Sequence, residues 1–252
     1  MISKTGAGLV LAVDTCGGRP GIAVAEGGRV SAESYLEDTR PRAECVAGKI
    51  AALFAERGWD ADSIVCCGVT TGPGSYTGVR IGLALVRGLA LPDLLPVVGI
   101  GSLALTVRAV RPKPPPGALV CAVLPAGRTR VYAAGFRVCE AEADETLEGV
   151  FESVALEVDE LCARLRGDGC AWLLAGEGAR AVAGAADPSL HVAEALSGRA
   201  GVLAEAAAAL YAQGRTQAAE DVLPVYIGED RARPNRNRVA PAAEALRRKV
   251  RC

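Results

Sequence analysis

The stretch Cys66-Cys67-Gly68-Val69-Thr70-Thr71-Gly72-Pro73-Gly74-Ser75-Tyr76-Thr77-Gly78-Val79-Arg80-Ile81-Gly82-Leu83-Ala84-Leu85-Val86-Arg87-Gly88-Leu89-Ala90-Leu91 decides the fold. Its first residues close an apolar, β-branched run, Ile64 to Val69, as expected for a strand covered on both faces. Three glycines and a proline between Gly72 and Gly78 then permit backbone angles and close approaches that other residues resist. From Val79 to Leu91 apolar residues recur at helical spacing, and Pro92 stops the run. Ser75 or Thr77 is placed to accept from the first free amides of that helix. A glycine-rich turn from strand into helix is also a place where anions bind, because amides converge at the positive end of the helix dipole.

The predicted helix carries one stripe of Val79, Leu83, Val86 and Ala90, a second of Ile81, Leu85 and Leu89, and a charged strip of Arg80 and Arg87. A helix apolar over most of its circumference is buried on more than one side. Its own sheet accounts for one side; the other asks for a neighbour, such as another chain. Gly82 and Gly88 each weaken the helix by about 1 kcal/mol relative to alanine, a cost that close approach of a second helix would justify.

The eleven residues Gly72 to Gly82, GPGSYTGVRIG, resemble the signature of the bacterial TsaB (YeaZ) family of threonylcarbamoyladenosine biosynthesis, GPGS-(aromatic)-TG-(aliphatic)-RIG after a strand. The resemblance runs from Leu9 to about Tyr226 and implies the duplicated actin-like α/β fold of sugar kinases and heat-shock-protein ATPases. It also implies a non-catalytic subunit that binds TsaD, with TsaE joining, in the transfer of threonylcarbamoyl to adenosine 37 of ANN-decoding tRNAs. On that reading the chain has no cofactor of its own, ATP or ADP belongs at the interface with TsaD, tRNA is met through the complex, and the chain pairs with itself when alone.

Bulk composition excludes several classes. The chain has 252 residues, 50% hydrophobic and 23% charged, the balance of a soluble globular protein, and no apolar run long enough to span a bilayer. Its start, MISKTGAGLVLAVDT, lacks the form of a secretion signal, so a cytoplasmic location is expected. Nine cysteines are scattered with no CxxC pair, and are expected as free, buried, apolar thiols. One histidine, His191, leaves no multi-histidine metal site. Net charge is −1, yet residues 231–252 carry eight basic side chains against Glu244 alone. That segment is either an electrostatic arm for RNA or a solvated terminus.

Along the chain, strands are expected at Leu9–Val13, Ile22–Glu26 and Arg29–Tyr35, with Gly27-Gly28 as a tight hairpin turn. A helix over Arg42–Arg57 comes next, then the Ile64 strand, the signature loop and its helix, a strand at Pro96–Ile100 and a helix at Ser102–Val110. Arg111-Pro112-Lys113-Pro114-Pro115-Pro116-Gly117 reads as a linker. Beyond it come strands at Ala118–Leu124, Arg130–Val138 and Glu145–Phe151, a helix at Val158–Leu165, a strand at Ala171–Ala175 and a helix at Gly201–Gln213. The recurrence divides the chain into a half over 1–110, a second over 111–230 whose last helix is expected to return to the first half, and the basic tail 231–252.

Candidate site residues fall in three groups. Asp14, at the tip of the first strand, is either a nucleotide-related acid or a cap for turn amides. The loop Gly72, Pro73, Gly74, Ser75, Tyr76, Thr77 and Gly78 could hold phosphate but lacks the lysine of a P-loop. Gly176-Glu177-Gly178-Ala179 is read as a plain turn over an adenosine loop. Partner contacts are expected from Val46, Ile50, Val79, Arg80, Gly82, Leu83, Leu85 and Val86, with the two helices of each chain forming a four-helix contact. The catalytic relative TsaD carries a His-x-x-x-His metal pair on its first helix; here Arg42-Ala43-Glu44-Cys45-Val46 stands, and TsaB proteins likewise lack the pair, so the resemblance implies a non-catalytic chain. No catalytic residue and no metal ligand is assigned. Competing classes are an actin-like ATPase or small-molecule kinase using Asp14, and an RNA-binding module using the tail. A serine-protease reading fails because Ser75 has no evident base.

Overall fold

Two apolar strand sets fold into two five-stranded mixed sheets. The computed structural model describes residues 8–37, 43–139, 146–186 and 190–228; Arg42 and the basic segment 231–252 lie outside them. The first sheet contains β1 (Leu9–Asp14), β2 (Gly21–Glu26), β3 (Arg29–Tyr35), β4 (Ile64–Thr70) and β5 (Val97–Ile100). Its helices are α1 (Ala43–Arg57) and α2 (Tyr76–Ala90), and α3 (Ser102–Arg108) follows β5. The second sheet contains β6 (Leu119–Pro125), β7 (Arg130–Cys139), β8 (Thr146–Glu157), β9 (Trp172–Ala175) and β10 (His191–Ala193), with α4 (Val158–Gly167), α5 (Ala179–Ala186) and α6 (Ala200–Ala212).

The strand orders are β3-β2-β1-β4-β5 and, read from its other edge, β8-β7-β6-β9-β10. In each sheet the first three strands pair antiparallel and the last two join in parallel. The same order with the same senses is an internal duplication, and the fold is the duplicated actin-like α/β architecture. The Gly27-Gly28 turn takes positive φ at both positions, 58° and 81°, as a tight hairpin requires.

Packing crosses between the halves. One face of the first sheet is covered by α1 and α2, through Val46, Leu53, Val79, Leu83 and Val86. Its other face is covered by α6, through Ala200, Leu203, Ala204 and Ala207. The second sheet lies against α4 and α5 on one side and against α3 on the other, through Leu103 and Val107, with Val110 just beyond the helix. Each half therefore sends its final helix to the other half's sheet. Small residues make this fit: a Cβ on Gly68 of β4 would meet the Ala207 methyl at 2.8 Å.

Several boundaries differ from the sequence reading. Helix α2 starts at Tyr76, three residues ahead of the apolar periodicity, because Ser75 rather than Thr77 caps it: Ser75 Oγ accepts from the Gly78 amide at 3.2 Å. Strand β8 runs to Glu157, pairing with the length of β7 through register shifts around Gly135. Helix α5 and strand β10 are additional elements; both are short, and polar or alanine-rich enough to give little periodic signal. All eight described cysteines are free. Among the described residues, no helix is long and apolar enough to cross a membrane.

Candidate functional site

The parallel strands β1 and β4 end side by side, with Val13 opposite Val69. That register brings Asp14 and Thr70 together at their carboxyl ends. Thr70 Oγ1 donates to Asp14 Oδ1 at 2.9 Å and the Cys16 amide donates to the same oxygen at 3.1 Å. Arg199, the residue before α6, reaches the other oxygen, Nε to Oδ2 at 3.0 Å. Its Nη1 donates to Thr106 Oγ1 at 2.9 Å and to the Ser102 carbonyl at 3.2 Å. Asp14 is 1% exposed and Arg199 4%. Burial pulls the Arg199 pKa down, but the charge and hydrogen bonding of Asp14, with Cys16 and Glu177, together outweigh it and the net shift is upward. Asp14 is thus a buried, neutralised acid with both oxygens occupied.

Beside this knot a cleft of about 740 Å³ runs between the halves, lined in part by Thr106, Glu177, Arg180, Ser197 and Arg199. Glu177 closes one end, its Oε1 accepting from the Gly18 amide at 2.9 Å. The turn Gly176–Ala179 is therefore a latch onto the β1–β2 loop. Cys16 lies under the knot; burial, and next the Asp14 charge, push its thiol up to about 12.

The signature loop is a junction. The Ser75 amide donates to the Cys16 carbonyl at 3.4 Å, Ser102 N to the Gly72 carbonyl at 2.7 Å, and Val225 N to the Thr71 carbonyl at 2.7 Å. Gly72 has φ 98°, left-handed backbone that favours glycine. A Cβ on Gly78 would run into the Thr15 carbonyl oxygen. Pro73 is buried and Gly74 half-buried; Ser75, Tyr76 and Thr77 reach solvent. The loop joins β1, α3 and the chain after α6. Ser75 acts as the helix cap, and His191 stands on β10 of the other sheet.

The chain matches, over residues 26–214, the family model described as TsaD, tRNA N6-adenosine threonylcarbamoyltransferase. It is 29% identical over 229 residues to the tRNA threonylcarbamoyladenosine biosynthesis protein TsaB of Escherichia coli, covering 86% of this chain and 94% of that protein. The chain belongs to the TsaB/YeaZ family. YeaZ from Pseudomonas aeruginosa superposes with a TM-score of 0.70 at 26% identity, over 87% of this chain and all of that one. A Pseudomonas aeruginosa protein with similarity to peptidase YEAZ gives 0.71 at 25% identity, over 88% of this chain and all of that one.

Against the family's helix pair, the expected contact residues divide. Val46, Val79, Leu83 and Val86 are buried in this chain's own core, because α1 packs on β2 and β3 and α2 on β4 and β1. Gly82 is buried too, and its Cβ would press on Thr15 Oγ1 at 2.5 Å; the close approach it permits is internal. These five do not form an outer face in this TsaB/YeaZ chain. Ile50 and Leu85 are half-buried at the surface. Arg80 is exposed but turned to Tyr76 and Tyr226. The exposed crest consists instead of small residues: Ala47, Gly48, Ala51 and Ala55 on α1, and Thr77, Ala84 and Gly88 on α2. A Cβ on Gly48 or Gly88 would meet nothing within 4 Å.

Sequence reasoning misses Arg199 and the crest. Arg199 is one arginine ahead of an alanine-rich helix, and only the fold reveals its acid 185 residues away. The crest carried a signal in Gly48, Gly88 and their alanine neighbours, masked by the larger apolar residues that share the same helices.

Proposed function

We propose that the chain is a non-catalytic partner subunit that binds TsaD in the complex transferring threonylcarbamoyl to adenosine 37 of ANN-decoding tRNAs. The observation that carries this reading is the open small-residue crest on α1 and α2. Gly48 and Gly88 each weaken a helix by about 1 kcal/mol and relieve no crowding within the chain. Such glycines are explained when another helix comes close. The crest is self-complementary in kind, so the same surface pairs two copies of this chain when TsaD is absent. TsaE joins the assembled pair.

The state of Asp14 supports assigning the chemistry to the partner. The Asp14 carboxylate is engaged on both oxygens by Arg199, Thr70 and the Cys16 amide, so a nucleotide-bound metal would have to compete with a buried arginine for it. The competing ATPase or kinase reading requires that pair to open. On this reading the chain has no cofactor of its own, and any ATP or ADP would sit at the interface with TsaD.

Co-purification with the TsaD of the same organism, weighed by light scattering and followed by threonylcarbamoylation of tRNA, tests the reading. A stable pair that modifies tRNA only when both chains are present is expected. A chain that stays alone while tRNA is modified without it overturns the proposal. Nucleotide turnover by the purified chain, lost in Asp14→Asn, would establish the enzyme reading in its place.

A further inference from the structure

The partner surface on α1 and α2 gives no role to the cleft of about 740 Å³ between the halves. That volume falls in the range of about 300–1,000 Å³ usual for small-molecule sites. The cleft opens at the carboxyl ends of the parallel strands β6, β9 and β10, at Leu124, Gly176 and Glu194. In open α/β sheets ligands bind in that crevice, just beyond the strands.

Two of its charges are already committed. Arg199 is spent on Asp14, Thr106 and the Ser102 carbonyl, and Glu177 on the Gly18 amide. Two others are not. Arg180, in the first turn of α5, and Glu194, just after β10, both line the cleft and are exposed. Neither side chain has a hydrogen-bond or ion-pair partner among the described residues, and they do not pair with each other. The N-terminus of α5 opens into the same space and adds a positive partial charge beside Arg180. Val192 and Leu196 complete the lining as large apolar side chains left 39% and 45% exposed.

One uncommitted cation, one uncommitted anion and an open apolar wall in a single cleft match an α-amino acid. Its carboxylate takes the planar fork of Arg180, its ammonium takes Glu194, and an aliphatic side chain covers Val192 and Leu196. A nucleotide matches less well. Two carboxylates, Glu177 and Glu194, stand against one free arginine, no lysine lines the cleft, and a polyphosphate would meet like charge.

We propose that the cleft between the halves is a binding site for a free aliphatic α-amino acid, held by Arg180 at its carboxylate and by Glu194 at its ammonium. The site is separate from the crest, and it stands or falls independently of pairing with TsaD.

Isothermal titration calorimetry of the full-length chain with L-leucine, leucinamide and N-acetyl-leucine tests this, because the three share a side chain and differ in charge. Leucine should bind at least about tenfold tighter than either derivative, each of which leaves one charge of the site unanswered. Arg180→Gln should weaken leucine by at least about tenfold and leave leucinamide unchanged; Glu194→Gln should weaken leucine equally and leave N-acetyl-leucine unchanged. Both side chains are exposed, so circular dichroism of the variants should match that of the unaltered chain. If a variant misfolds, the three ligands on the unaltered chain still decide the matter. Leucine that gives no binding heat at millimolar concentration overturns the proposal. So does leucinamide bound as tightly as leucine, which would make the cleft a plain cation site, or full leucine affinity in either variant. ADP that binds the chain and is lost in Arg180→Gln would overturn it in favour of a nucleotide.

Discussion

Arg199 and Asp14, 185 residues apart in sequence, form an ion pair of 3.0 Å in which both side chains are buried. Taking both charges out of water is costly, and mutual attraction plus four further hydrogen bonds, from Thr70 and the Cys16 amide and to Thr106 and the Ser102 carbonyl, offset that cost. Removing one partner strands the other. Arg199→Met should destabilise the chain by about 3–5 kcal/mol, whereas Asp14→Leu combined with Arg199→Met should recover most of the loss. Urea unfolding of the two variants measures the difference. A single variant within about 1 kcal/mol of the unaltered chain would mean that the pair is not held as described.

The crest glycines separate folding from pairing. Gly48→Leu and Gly88→Leu add side chains into open space, so each should leave the monomer folded and up to about 1 kcal/mol more stable through helix propensity. The same side chains should stop a second helix from approaching, and the complex with TsaD should vanish on a sizing column. Leu85→Asp, at the half-buried edge of α2, should act in the same direction. Val86→Glu is no test, because Val86 is 1% exposed and a charge there would unfold the chain. Pairing retained by both leucine variants would remove the crest as the docking surface.

The buried thiols set the response to alkali. Burial pushes Cys16, Cys66, Cys67 and Cys121 from an ordinary 9.0 up to about 12. Between those values the unfolded thiols lose their protons while the folded ones keep them, so stability must fall as pH rises, by about 1.4 kcal/mol per pH unit per thiol. Below about pH 9 these groups contribute their full stabilisation. Unfolding curves from pH 7 to 11 should be flat at first and then drop steeply. Iodoacetamide at pH 8 should label exposed Cys45 and Cys170 and spare those four. Labelling of Cys66 or Cys67 in the native chain would contradict the packing of β4.

Arg87 holds the segment after α6, residues 213–228, by donating to the carbonyls of Ala219 and Val222, with a longer contact to Glu220. Charged hydrogen bonds of this kind contribute about 1.5–3 kcal/mol each. Arg87→Ala should speed hydrogen exchange at the Val225 amide, which bonds the Thr71 carbonyl, with a smaller effect on β1 and β4. Arg87→Lys should rescue little, since one ammonium lacks the planar fork that reaches several carbonyls at once.

Much of the architecture was legible in the residues. The apolar runs of β1 and β4, the Gly27-Gly28 turn and the capped helix after the signature loop each arise from local chemistry, and their recurrence points to duplication. Faces were harder. Val79, Leu83 and Val86 form the stripe expected of a contact helix, but a sheet and a partner demand the same residue types, and periodicity does not tell them apart. Gly82 and Gly88 look alike in sequence, yet one is pressed against Thr15 and the other stands open. Arg199 was illegible because its reason is an acid on a distant strand. The short α5 and β10 had too few turns or residues to leave a pattern.

The exchange of final helices has a consequence for how the chain is made. The first sheet is complete once Ile100 has been synthesised, but α6, which covers its second face, ends at Ala212. A ribosome adding about 5–20 residues per second needs on the order of ten seconds to supply that stretch. During that interval an apolar sheet face is exposed on the nascent chain, a binding site in time for whatever shields growing polypeptides, and it closes only when the last helix arrives.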